Sequence, residues 1–124
     1  MSRVKAIVSL FGGITVIMGA MGSHALREVL SQSDLEAYQT AIYYQMFHLI
    51  LLLWINSQST LDLGRRKVLN TFFGLGILCF SGSIFLFKLT SISAKSLWFI
   101  TPLGGILLIG GWFYLAYTYY KQTQ

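Results

Sequence analysis

Four long apolar stretches, separated by short polar segments, take up nearly all of this chain. They cover approximately residues 4–25, 38–56, 68–88 and 98–119. A hydrocarbon core about 30 Å thick is crossed by about 20 helical residues, and each stretch is close to that length. The pattern predicts an all-α, integral membrane four-helix bundle forming one domain over residues 1–124. Polar segments between the stretches are too short for a separate catalytic or partner-binding domain.

Local signals refine the helix ends. Ser33-Asp34-Leu35-Glu36 has the form of a capping box, in which serine and glutamate satisfy each other's backbone N–H groups. It predicts that the second helix starts near Asp34 and reaches hydrocarbon at about Ala41. Tyr38, Tyr43 and Tyr44 then fall where amphipathic aromatics collect at a membrane surface. In Thr101-Pro102-Leu103-Gly104-Gly105, threonine suits an N-cap and proline the first helical position. Leu97 to Ile100 would then be a short connector in the interface. The other reading makes Pro102 a kink within a longer helix. Small residues favour close helix approach in lipid. On that ground Gly12, Gly19, Gly22, Gly82, Gly104, Gly105 and Gly111 are expected at helix contacts.

Composition supports a membrane protein. Apolar residues make up 55% of the chain and charged residues only 10%, against roughly 25% charged in an ordinary soluble domain. The net charge of +5 would suit nucleic acid if it lined one face, but the basic residues flank the apolar stretches. No nucleic-acid partner is therefore expected. Arg3, Lys5, Arg65, Arg66, Lys67 and Lys121 lie on one side of the predicted topology, and Arg27, Lys88 and Lys95 on the other. Six against three places both termini in the cytoplasm by the positive-inside rule. A cleavable signal peptide is the rival reading of the first stretch. Its length and its glycines favour an uncleaved span.

Few polar side chains interrupt the stretches, and depth sorts them. At about 1.5 Å per residue, His48 falls about 10 Å below the outer boundary, Ser81 and Ser83 roughly 9 Å, and Thr101 about 6 Å. His24 lies near the boundary itself. Tyr44 and Gln45 share a helical face with His48. These seven residues gather in the outer half, while the inner half is nearly free of polar groups. They are the candidate ligand-binding set, because polar groups within a membrane are costly and normally face a bundle interior or cavity. Hydrogen bonding between helices is the competing role.

Other chemistry finds little support. Cys79 is the only cysteine, no cluster of ligands lies at matching depth for a metal, and no catalytic group is assigned. A haem held by His24 and His48 would need the two at similar depth on facing helices. No cofactor is expected. The leading function is non-enzymatic: binding of a lipid or small hydrophobic ligand, or stabilisation of an assembly such as a homo-oligomer. The alternatives are a transporter or channel subunit, and a haem-type redox or other membrane enzyme using His24 and His48. Transport would require a polar path through the inner half.

Four stretches in order also resemble a known family. Gly19-Ala20-Met21-Gly22-Ser23-His24-Ala25-Leu26 resembles a Gly-Ala-x-Gly-Ala-His-Ala-Leu signature. Tyr44-Gln45-x-x-His48, Phe80-Ser81-Gly82-Ser83, and Thr101-Pro102-x-Gly104-Gly105 followed by Gly111-Trp112 also match. The chain is thereby similar to the domain of unknown function 423 family, whose animal relatives are called transmembrane protein 256. Ser23 and Phe85 depart mildly from its usual residues. The resemblance implies a four-span protein of the bacterial inner (plasma) membrane and supplies no activity.

Overall fold

The computed structural model describes residues 2–124 and is all-helical. Four helices follow in order: α1 (Ser2–Ser23), α2 (Gln32–Ile55), α3 (Leu63–Leu89) and α4 (Ile100–Gln122). Helices α1, α3 and α4 are long and apolar enough to cross a membrane. Helix α2 is long enough, but Gln39, Gln45 and His48 dilute its apolar part.

The helix starts differ from those expected. Ser31, not Ser33, caps α2, its hydroxyl accepting from the Asp34 N–H at 3.2 Å. Ser31 has the extended ψ of 161° that an N-cap needs. Ser33 already lies in the first turn, and Glu36 is held by the Gln32 amide at 2.9 Å instead of reaching back. Asp62 caps α3 in the same way, accepting from the Arg65 N–H at 3.0 Å. Helix α4 begins at Ile100 after Phe99, with no side-chain cap. Thr101 is therefore not the cap, and Pro102 sits in the first turn without kinking α4. The N–H that proline lacks there would have had no intrahelical partner.

Packing follows chain order. α1 packs on α2, α2 on α3 and α3 on α4, each pair antiparallel, and α3·α4 is the most extensive contact. Among the described residues, α1 and α4 make no close backbone approach. The close backbone approaches thus run along a row of consecutive helices. The reason lies in the small residues. A Cβ on Gly104 would collide with the backbone of Phe80, on Gly76 with Leu108 at 2.6 Å, and on Gly111 with the Phe73 ring at 2.8 Å. These glycines let α3 and α4 approach closely. Gly22 does the same between α1 and α2, where the Tyr38 ring would lie 2.8 Å from a Cβ.

Tyr38 is accordingly buried, not spread along a membrane surface. It is 1% exposed, packs on Phe85 at 5.4 Å between ring centres, and donates its hydroxyl to the Met18 carbonyl. A core of Leu49, Leu52, Ile55, Leu69, Phe73 and Leu115 fills the half nearer the chain termini. The end that carries the α1–α2 and α3–α4 connections is called the distal end below. Many large apolar side chains, such as Leu10, Ile17, Ile50, Leu78, Ile106 and Phe113, face outward. That surface suits an apolar surrounding and would be an aggregation liability in water.

At the distal end, Lys88 Nζ donates to Asp34 Oδ1 at 2.7 Å and ties α3 to α2. The Lys88 ammonium, and secondarily the Ser31 hydroxyl, hold the Asp34 carboxyl below its ordinary pKa. A depressed carboxyl contributes stability above its unfolded pKa of about 3.9. That contribution is lost as pH falls through the folded value. Unfolding temperatures in mild detergent should therefore drop below about pH 4, and Asp34→Asn should show a smaller drop. Equal drops would mean that the pair contributes nothing to acid stability, as many exposed pairs do not.

Candidate functional site

The polar residues gathered by depth do not converge on one pocket. They sort into clasps, each closing a single helix interface. Between α1 and α2, Gln45 Nε2 donates to Thr15 Oγ1 at 2.6 Å, and Thr15 donates to the Phe11 carbonyl at 2.6 Å. Between α2 and α3, Ser81 donates to the Ala41 carbonyl at 2.8 Å. Between α3 and α4, the Ser83 and Thr101 hydroxyls lie 2.5 Å apart. Each removes a polar group from an apolar surrounding, where an unpaired one costs most.

His48 makes the clasp between α2 and α4. Its Nδ1 lies 2.7 Å from the Tyr44 carbonyl, one turn back on the same helix. A carbonyl only accepts, so Nδ1 carries the proton. Trp112 Nε1 lies 3.2 Å from His48 Nε2. An indole N–H only donates, so Nε2 is the acceptor and the ring is the neutral Nδ1–H tautomer. Both nitrogens are thereby engaged within the protein. The ring is 5% exposed and is flanked by Phe47, Phe73 and Trp112, with centres 5.5, 5.7 and 6.2 Å away.

His24 is elsewhere. It follows the end of α1 in an exposed turn. The two histidines do not share a surrounding, and His48 has no free nitrogen to offer a haem iron. No group of three or more His, Cys, Asp or Glu residues is placed to hold a metal ion among the described residues.

Beside the His48–Trp112 clasp, a groove of about 660 Å³ opens between α2 and α4 over Phe80 of α3. Its walls are Tyr43, Tyr44 and Phe47 on one side and Leu108, Ile109 and Trp112 on the other. Tyr44 stacks on Phe80 at 4.7 Å. Of the seven candidate ligand-binding residues, Tyr44 and His48 line this groove, and the other five do not. Gly105, expected at a helix contact, also lines it, and a Cβ there would meet only the Phe80 ring edge at 4.0 Å. A Cβ on Gly19 would meet Ile42 at an ordinary 3.6 Å, while Gly12 and Gly82 face open space. The polar ring atoms of His48 and Trp112 are satisfied by each other and by Tyr44. The groove therefore presents aromatic faces, aliphatic groups and the hydroxyls of Tyr43 and Tyr44 to whatever enters it.

A family model described as a protein of unknown function (DUF423) matches residues 18–105. The chain belongs to this family. A UPF0382 membrane protein of Haemophilus influenzae is 35% identical over 123 residues, covering 99% of this chain and 98% of the relative. A UPF0382 membrane protein of Staphylococcus haemolyticus is 34% identical over 111 residues, covering 87% of each chain. The UPF0382 inner membrane protein YgdD of Escherichia coli K12 is 31% identical over 118 residues, covering 90% of this chain and 85% of the relative. No solved structure shows a significant match. The sequence motifs that resembled the family are thus those of a DUF423 membrane protein.

Three contacts in this DUF423 chain, made by four residues, escaped the sequence reading. Thr15 lies between Ile14 and Val16 with no spacing signal of its own, yet it is fully buried against Gln45. Trp112 stands in the Gly111-Trp112 motif, but its role appears only once α4 is placed beside α2. Asn56 and Asn70 exchange two amide hydrogen bonds, at 2.7 and 3.0 Å, across the α2–α3 connection. That pair puts a partly buried polar contact in the half expected to lack one. Its signal was the presence of one asparagine on each side of a short loop.

Proposed function

We propose that this chain is a non-enzymatic membrane protein of four spans whose α2–α4 groove holds an apolar chain, such as a lipid acyl tail. The groove carries the proposal: it is about 660 Å³, mostly aromatic and aliphatic in its walls, and the ring nitrogens of His48 and Trp112 are already paired. An acyl chain gains dispersion contacts with Phe47, Phe80 and Trp112, and the Tyr43 and Tyr44 hydroxyls are the polar groups left for an entering molecule to meet. The clasps of Gln45, Ser81, Ser83 and Thr101 support the role of a preformed frame around that groove.

The proposed orientation puts both termini in the cytoplasm. It rests on Arg3, Lys5, Arg65, Arg66, Lys67 and Lys121 at the end with the termini, against Arg27, Lys88 and Lys95 at the distal end. The groove then lies near the middle of the bilayer, and membrane lipids are the partners.

Native mass spectrometry of protein released from gently chosen detergent tests the groove. Wild type should carry an adduct of lipid mass. Gly105→Leu places a branched side chain in the groove beside Phe80 and should lose the adduct at a nearly unchanged unfolding temperature. A bare wild-type protein would sink the proposal, as would an adduct that survives in Gly105→Leu.

A further inference from the structure

A second cavity, of about 210 Å³, lies between α1 and α3 on a floor of α2. It differs from the α2–α4 groove in one chemical respect. Its wall is apolar, from Val8, Phe11, Leu49, Leu52 and Ile77, except for the amide of Gln45. Gln45 is 6% exposed, and its hydrogen bonds fix which way the amide points. The Thr15 hydroxyl gives its only hydrogen to the Phe11 carbonyl, so it can only accept from Gln45. The Gln45 nitrogen must therefore face Thr15, which leaves Oε1 as an acceptor without a donor among the described residues. Among the described residues, the sealed unpartnered side-chain atoms are Arg66 Nε and Thr118 Oγ1. Gln45 Oε1 is not one of them, so it is reachable from the cavity.

An amide oxygen left unpaired in hydrocarbon is costly. The cavity runs from Gln45 toward Leu52, seven residues along α2, or about 10 Å at 1.5 Å each. One polar acceptor stands at one end and an apolar trough continues from it. We propose that this cavity binds a single-chain membrane amphiphile headed by a hydroxyl group. The hydroxyl donates to Gln45 Oε1, and the chain lies along Leu49, Leu52 and Ile77. The site is separate from the α2–α4 groove and stands or falls independently of it.

The test uses 1-decanol carrying a terminal diazirine and the methyl ether of the same probe, which has no hydrogen to donate. Each is irradiated with the full chain in phosphatidylcholine vesicles, and the labelled peptides are mapped by mass spectrometry. The alcohol should label the segments around Val8, Leu52 and Ile77 about tenfold more than the ether, the worth of one well-placed hydrogen bond. Gln45→Leu should abolish that preference. Gly74→Leu should abolish labelling by both probes, because Gly74 lines the cavity and a Cβ there meets nothing within 4 Å. Equal labelling by alcohol and ether in wild type overturns the proposal, as does a preference that persists in Gln45→Leu. If Gln45→Leu fails to fold, the probe pair on wild type and Gly74→Leu still decide.

Discussion

Gly104→Ala should destabilise the protein by about 3 kcal/mol, the upper part of the range for forcing atoms into a packed interior. The new Cβ would collide with the backbone nitrogen of Phe80 and lie 2.7 Å from both the Cys79 carbonyl carbon and the Phe80 Cα. A side chain can rotate away from such a collision, but a helix backbone cannot. Relief therefore requires α3 and α4 to separate. Separation would strain the Ser83–Thr101 clasp and loosen the fit of Phe73 against Gly111. Gly12→Ala is the matched control, since its Cβ meets nothing within 4 Å. It should be neutral or slightly stabilising, because alanine is the better helix former. Unfolding of the two variants in the same detergent checks the contrast. A Gly104→Ala protein as stable as Gly12→Ala would mean that α3 and α4 are not packed this closely.

Glycine positions also mark where sequence reading stops. Spacing put Gly12 and Gly104 in the same class, yet one faces open space and the other meets a backbone. Glycine is common in membrane helices whether or not it touches a neighbour, so its presence carries little information about contact. The helices themselves were legible, because an apolar run of span length leaves few alternatives to a helix. Their ends were less so. Ser31 and Ser33 both precede a carboxylate by three residues, at Asp34 and Glu36, and only the backbone ψ at Ser31 selects the cap. Depth is a second partial coordinate. It grouped Gln45, His48, Ser81, Ser83 and Thr101 toward one end from the fixed rise per residue, but His48 lies only seven residues before the end of α2 and packs on Phe73, in the half nearer the termini. It could not say which way each side chain faces. That direction depends on the rotation of each helix against its neighbour, and it turned one imagined pocket into separate clasps. Trp112 illustrates the cost: its partner is 64 residues away in sequence.

His48→Ala should cost about 3 kcal/mol, typical of emptying a large buried side chain. The ring touches aromatic residues on α2, α3 and α4, so its loss opens a void where three helices meet. It also strands the Trp112 N–H. Trp112→Phe separates the two effects. It keeps an aromatic ring against Phe73 but removes the donor to His48 Nε2, and should cost nearer 1 kcal/mol, within the range measured for hydrogen bonds between membrane helices. The order of the two costs is informative. If Trp112→Phe proves as damaging as His48→Ala, the hydrogen bond dominates, and the α2–α4 groove is held at its width by that single contact. If His48→Ala costs well under 1 kcal/mol, below even an average hydrogen bond of this kind, the ring is not packed as described and its nitrogens are free for a ligand. The expected order, with the alanine variant the worse, makes His48 the post on which the groove is built. Adduct loss in His48→Ala would then report a collapsed groove, and only a substitution such as Gly105→Leu, which fills the space without removing the post, tests binding itself.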